Sequence, residues 1–163
     1  MPHALRRSTP PSTLVSRLDD VGENDGWRCW LCDEPVDPEM SVNDPRGPSV
    51  DSLTSRAKAK DKRSGAGQER LAHRGCNTKK GAIAPVVPWS DRLFVVDPAP
   101  ILASVERLHR KGGREIMARC PTLADGQESG AWLVDRLSRL APDLGVTVTV
   151  EPGGGQFLLV LRA

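Results

Sequence analysis

Two short spacings, Cys29-x-x-Cys32 and His73-x-x-Cys76, constrain this chain more than any other feature. Each pair sets two soft donors three residues apart, where a tight turn can aim both at one ion, and two such pairs complete a tetrahedron. Forty residues separate the pairs, so the chain between them must fold back on itself. Thiolate and imidazole suit zinc better than calcium or magnesium. Four protein donors leave no open coordination position, so the spacing predicts one structural zinc ion held by Cys29, Cys32, His73 and Cys76. The competing reading makes Cys29 and Cys32 a redox pair and leaves His73 and Cys76 incidental. Cys120 stands alone and reads as a small buried residue. His3 falls in a polar tail and His109 beside Arg107 and Arg110, both as solvated groups.

A staple of this kind fits the rest of the chain. The 163 residues include 15 Gly and 14 Pro, no Tyr and only two Phe, so turns are many and a large aromatic core is not expected. Pro10 and Pro11 close a polar stretch over residues 1–12, read as a disordered tail. A short helix is expected from Leu14 to Val21, broken by the run Gly22 to Gly26. Trp27 to Cys32 reads as a tight knuckle carrying two indoles, and the four prolines between Asp33 and Pro48 as a loop. Short strands are expected over Ser49–Thr54 and Arg70–Ala72, with a helix over Gly75–Lys80. These place residues 13–84 in one zinc module, followed by a linker over 85–96 that contains Pro85 and Pro88.

Beyond the linker, residues 97–163 read as helix, helix, hairpin. Ile101, Val105 and Leu108 recur at helical spacing, as do Leu133, Leu137 and Leu140. Val146 to Val150 alternates as a strand does, Glu151 to Gln156 is a turn, and Phe157 to Leu161 is a second strand. The fold class is therefore α+β: a zinc-stabilised module with a small α+β C-terminal appendage that ends in a β-hairpin. Gly153-Gly154-Gly155 is not a phosphate loop, because a strand follows it instead of a helix. No apolar run approaches the roughly 18 residues that cross a bilayer. No apolar stretch follows Arg6 and Arg7 as a signal peptide requires, and the expected location is cytoplasmic, without a membrane partner.

Net charge is only +2, yet it is unevenly spread. Ser52 to Lys80 holds nine Lys and Arg against two acids, a net of +7, whereas Met1 to Asp51 holds five against ten. Such a block is an anion-binding feature. Lys58, Lys60 and Lys62 alternate within it, which suits an extended loop along phosphates, and Arg56, Arg63, Arg74, Lys79 and Lys80 complete the candidate nucleic-acid contacts. A solvated loop is the plainer reading of the same charges.

Trp27 to Gly81 resembles the HNH endonucleases that carry a zinc knuckle. The matching stretches are Cys29-Trp30-Leu31-Cys32, then Pro48-Ser49-Val50-Asp51, then Arg70-Leu71-Ala72-His73-Arg74-Gly75-Cys76-Asn77-Thr78-Lys79-Lys80-Gly81. The resemblance covers about a third of the chain and is silent on Ala82 to Ala163. It implies a ββα-metal fold and a divalent cation, Mg²⁺ or Mn²⁺, with Asp51 at the position of one ligand and Asn77 at the other. It also implies departures: Ser52 stands where the family has its general-base His, and Gln68 where it has the Asn that orients that His. A hydroxyl cannot take a proton from water near neutral pH as imidazole does. The resulting expectation is a zinc-binding, HNH-like protein that binds double-stranded DNA with nuclease activity lost or weak. A working metal-dependent endonuclease with an atypical base is one alternative, and a protein-interaction adaptor on a zinc fold is the other. Oligomeric state is not legible.

Overall fold

A computed structural model of the chain describes residues 17–52 and 69–163. The expected tail and the first part of the expected N-terminal helix lie outside the described residues. So do Thr54, Gln68 and the basic residues Arg56, Lys58, Lys60, Lys62 and Arg63.

The described chain is α+β, with four helices and two small antiparallel sheets. Helix α1 spans Arg17–Asn24 and so runs through Gly22 instead of ending there. Strands β1 (Pro48–Ser52) and β2 (Glu69–His73) pair antiparallel, with Asp51 opposite Arg70 and Pro48 opposite His73. Helix α2 (Arg74–Lys80) leaves directly from the end of β2, so His73 ends the strand while Cys76 lies in the helix's first turn. Asp25 ties α1 to this hairpin: its carboxylate accepts from Arg70 Nε at 2.8 Å and from the backbone N–H of Leu71.

The second half contains one element that periodicity did not show. Helix α3 (Ile101–Lys111) is followed by strand β3 (Arg114–Cys120), then α4 (Leu123–Leu140), β4 (Thr147–Gly153) and β5 (Gln156–Arg162). The expected hairpin is β4–β5, but it belongs to a three-stranded sheet of order β3-β5-β4. The reading of helix, helix, hairpin therefore gains a strand. Two physical causes hid it. Charges at Arg114, Glu115 and Arg119 break any apolar run, and a register shift between Ile116 and Ala118 turns both Met117 and Ala118 inward, spoiling strict alternation.

Helix α4 also starts eight residues before the expected Ala131. Thr122 caps it, its hydroxyl accepting from the Asp125 N–H while the Asp125 carboxylate accepts from the Thr122 N–H, a reciprocal capping box. Gly126 and Gly130 sit in the helix interior, where glycine costs about 1 kcal/mol. Here they permit contact with the sheet: a Cβ on Gly126 would lie 2.7 Å from Val150 Cγ1, and one on Gly130 2.9 Å from Val148 Cγ1.

The stretch from Pro85 to Val96 packs against the second half. Trp89 stacks on Trp132 with ring centroids 5.4 Å apart and donates from its indole N–H to Ala99 O. Val96 exchanges backbone hydrogen bonds with Arg119 along the outer edge of β3. Buried residues of both halves, from Cys29, Trp30 and Leu71 to Ile101, Leu133 and Leu159, form one core cluster. Among the described residues, no helix is long and apolar enough to cross a membrane.

Candidate metal centre

The four predicted ligands converge. One donor atom from each of Cys29, Cys32, His73 and Cys76 lies within 4.8 Å of all the others, the single such His, Cys, Asp or Glu cluster among the described residues. Donors about 2.0–2.3 Å from a shared tetrahedral centre are roughly 3.3–3.8 Å apart. The Cys32 Sγ to His73 Nδ1 distance is 3.3 Å and Cys76 Sγ to His73 Nδ1 is 4.0 Å, close to that range.

Local structure explains the convergence. Between the cysteines the chain turns tightly enough for the Asp33 N–H to reach Cys29 O at 2.7 Å, with Asp33 itself at φ 64°. Asp is among the few non-glycine residues that accept this conformation. The knuckle is pinned on both sides, by Cys29 N–H to Glu34 O at 2.9 Å and Trp30 N–H to Leu71 O at 2.9 Å. The second bond holds it against β2, one residue from Ala72 and two from His73.

His73 is oriented by a carbonyl. Its Nε2 lies 3.0 Å from Pro35 O, and a carbonyl can only accept, so the proton sits on Nε2. Nδ1 then keeps its lone pair and faces the three sulfurs, which is the outer partner arrangement typical of metal-bound histidine.

The sulfurs are electrostatically unequal. The Cys32 thiol donates to Cys29 and lowers its pKa to about 5 against the effect of burial, with help from backbone N–H groups of Cys32, His73 and Leu31. Donating to that thiolate pushes the Cys32 thiol up, and burial adds to the shift. Burial, with the Cys29 charge next, raises Cys76. Three sulfurs packed this closely do not all ionise without a cation between them, whereas a bound metal ion favours the thiolate form of each. The residues therefore fit a metal ion of the soft-ligand class. Cys120 is fully buried in the other half with its thiol raised by burial, and takes no part.

The other predicted site residues are arranged differently. Asp51 is buried, and each of its carboxylate oxygens is engaged: Oδ1 pairs with Lys80 Nζ at 3.0 Å, and Oδ2 accepts from Trp30 Nε1 at 3.1 Å. Asn77 lies beside it on α2, but its Nδ2 donates to Ser49 Oγ at 2.9 Å and Val50 O at 3.3 Å. Ser52 is at the exposed end of β1, opposite Glu69. Lys80, expected at a nucleic-acid surface, has its side chain only 10% exposed because it turns onto Asp51. Arg74 is exposed and donates to Val42 O and Asn43 Oδ1, while Lys79 is exposed at the end of α2.

Sequence reasoning missed the charged seam behind the knuckle. Asp33 pairs with Arg136 at 2.6 Å, Arg139 at 2.8 Å and Arg28 at 3.3 Å. Arg136 further donates to Trp30 O at 3.0 Å and Leu31 O at 3.1 Å. The available sequence signal was Arg136 lying between Leu133 and Leu137 on the apolar side of α4, an odd place for a cation that is not paired.

Compared with protein-family models, with curated proteins and with solved structures, the chain finds no match.

Proposed function

We propose that this chain is a zinc-stabilised, HNH-endonuclease-like module that binds double-stranded DNA and has lost the cleavage chemistry. The zinc reading rests on three thiols and one imidazole gathered with the imidazole lone pair turned inward. The HNH-like reading rests on the order of hairpin β1–β2 and helix α2 around that centre, together with the sequence stretches that resemble the family. The DNA reading rests on the net charge of +7 over residues 52–80, within which Arg70 and Lys80 are already paired with Asp25 and Asp51.

The loss of cleavage is carried by one observation, the Asp51–Lys80 pair. A divalent cation on Asp51 would have to displace an ammonium group already 3.0 Å from its oxygen, and the other oxygen is committed to the Trp30 indole. The residues present thus do not fit Mg²⁺ or Mn²⁺ at Asp51 and Asn77. Ser52, at the base position, supplies no group able to hold a proton from water at neutral pH.

The test is a plasmid-nicking assay with Mg²⁺ and Mn²⁺ beside a duplex-binding assay across a salt series. The expected result is no nicking and binding that weakens steeply as salt rises. Brisk cleavage abolished by Asp51→Ala would establish the working-endonuclease alternative. Absence of duplex binding at low salt would favour the adaptor reading. One feature speaks for that reading: an apolar cavity of about 270 Å³ lies beside Cys32 and Cys76, with Ile83 68% and Val86 79% exposed in its wall.

A further inference from the structure

Arg136 is the residue whose environment is hardest to explain by packing alone. It projects from α4, more than one hundred residues beyond the knuckle, and its side chain is only 3% exposed. Burying a guanidinium is costly unless charge and hydrogen bonds compensate it. Among the described residues, its hydrogen-bond and ion-pair partners all come from residues 30–33: the carbonyls of Trp30 and Leu31 and the carboxylate of Asp33. Its Nε finds no acceptor among the described residues, so there is no reserve partner.

Those residues are the two between the metal ligands Cys29 and Cys32 and the one just after them. Where the Trp30 and Leu31 carbonyls point is set by how tightly the Cys29–Cys32 turn is wound; the Asp33 N–H to Cys29 O bond shapes that turn, and a metal ion held by Cys29 and Cys32 would brace it. Arg139 joins the same carboxylate one turn later, so α4 grips the knuckle over successive turns.

We propose that Arg136 is a metal-sensing latch: occupancy of the Cys29, Cys32, His73 and Cys76 centre sets whether α4 and its sheet stay docked on the N-terminal half. With the turn held, the guanidinium is neutralised and α4 is locked. When the ion leaves and the turn loosens, the carbonyls diverge, a buried cation loses its partners, and the helix releases to let it reach water. Linkage makes the effect reciprocal, so the docked α4 also tightens metal binding. The proposal rests on the metal-centre reading above, and the experiment separates failure of one from failure of the other.

The experiment uses the full chain, its metal content measured by elemental analysis before and after a chelator. Hydrogen exchange across α4 is followed in wild type and in Arg136→Met, and zinc affinity is measured by competition with a chromophoric chelator. In wild type, metal removal is expected to strip protection from the second half of α4. In Arg136→Met, which needs no carbonyl partners, α4 is expected to respond little to the chelator, and zinc is expected to bind about 5–150-fold more weakly. Metal loss that leaves wild-type α4 as protected as before overturns the latch, as does an equal chelator response in Arg136→Met. Protein that takes up no metal overturns the metal-centre reading and the latch with it. If Arg136→Met does not fold, the wild-type arm decides alone.

Discussion

The two halves of this molecule reach order by different means. Among the described residues of the first half, 17–52 and 69–84, few large side chains are buried, and the knuckle, hairpin and helix gather around four ligand atoms. Residues 97–163 are built on apolar packing: Met117, Leu133, Leu137, Leu159 and Leu161 are essentially fully buried between α3, α4 and the three-stranded sheet. The contrast sets a part gathered around four candidate metal ligands beside a part gathered around apolar side chains. It also locates the chemistry. Charged groups that a purely apolar core would exclude, Asp51 with Lys80 and Asp33 with Arg136, lie in or against the metal half.

The sharpest way to break this contrast is to take away the ion. Cys32→Ser or Cys76→Ser should abolish metal binding and unfold the N-terminal half, because structural zinc contributes on the order of 10 kcal/mol in small metal-dependent folds. Cys120→Ser should leave the expected one ion per chain unchanged. Elemental analysis and circular dichroism read both; a fully folded Cys32→Ser protein would mean that packing suffices in the first half too.

A smaller effect is expected at Asp51. Lys80→Ala leaves a buried carboxylate without its cation, a change that typically costs about 3–5 kcal/mol. Denaturant midpoints should fall accordingly, and added Mn²⁺ should raise the midpoint of Lys80→Ala but not of wild type. A Lys80→Ala protein as stable as wild type would show that the pair is held open to solvent.

In the second half the corresponding probe is steric. Gly130→Leu forces side-chain atoms into Val148 and Leu159, whose atoms lie 2.9 and 3.3 Å from the position of a first Cβ. Overpacking of this kind costs about 1–3 kcal/mol. The ion should still bind at saturating zinc, and loss of stoichiometric metal would show that packing in the second half governs the metal centre.

The smallest effect concerns the surface pair of Arg107 and Glu115, which joins α3 to β3 with both contacts at 2.8 Å. Arg107 holds the Glu115 carboxyl below its ordinary range by hydrogen bonding first and charge last, against the opposing effect of burial. A carboxyl lowered on folding stabilises above its unfolded pKa, and that contribution fades as pH falls through the folded value. Glu115→Gln should therefore lower the thermal midpoint slightly at neutral pH, with the difference from wild type vanishing under acid conditions.

How much of this was legible beforehand follows from the range of each interaction. Ligand spacing is a local property, so Cys29, Cys32, His73 and Cys76 could be read as one site from sequence, as could the hairpin and α2 that carry the last two. Helix α3 announced itself through Ile101, Val105 and Leu108. Strand β3 did not, because its bulge at Met117 erased the alternation. The start of α4 was obscured by glycines that look like breakers until Val148 and Val150 are seen against them. The partners of Asp51 and Arg136 could not be read, since pairing across 29 and 106 residues leaves no periodic trace.

The distance between Arg136 and Trp30 has a consequence in time. The hairpin, knuckle and α2 all close within a stretch ending at Lys80, so they can assemble early, whereas the Trp30 and Leu31 carbonyls wait for a residue 106 and 105 positions later. Contacts of such separation are made only after the entropy of closing the intervening loop has been met. During synthesis, the knuckle therefore emerges with its carbonyls and the Asp33 charge facing water, and it meets its cation only when α4 follows. The first half can thus form its local contacts before Arg136 arrives to cap them.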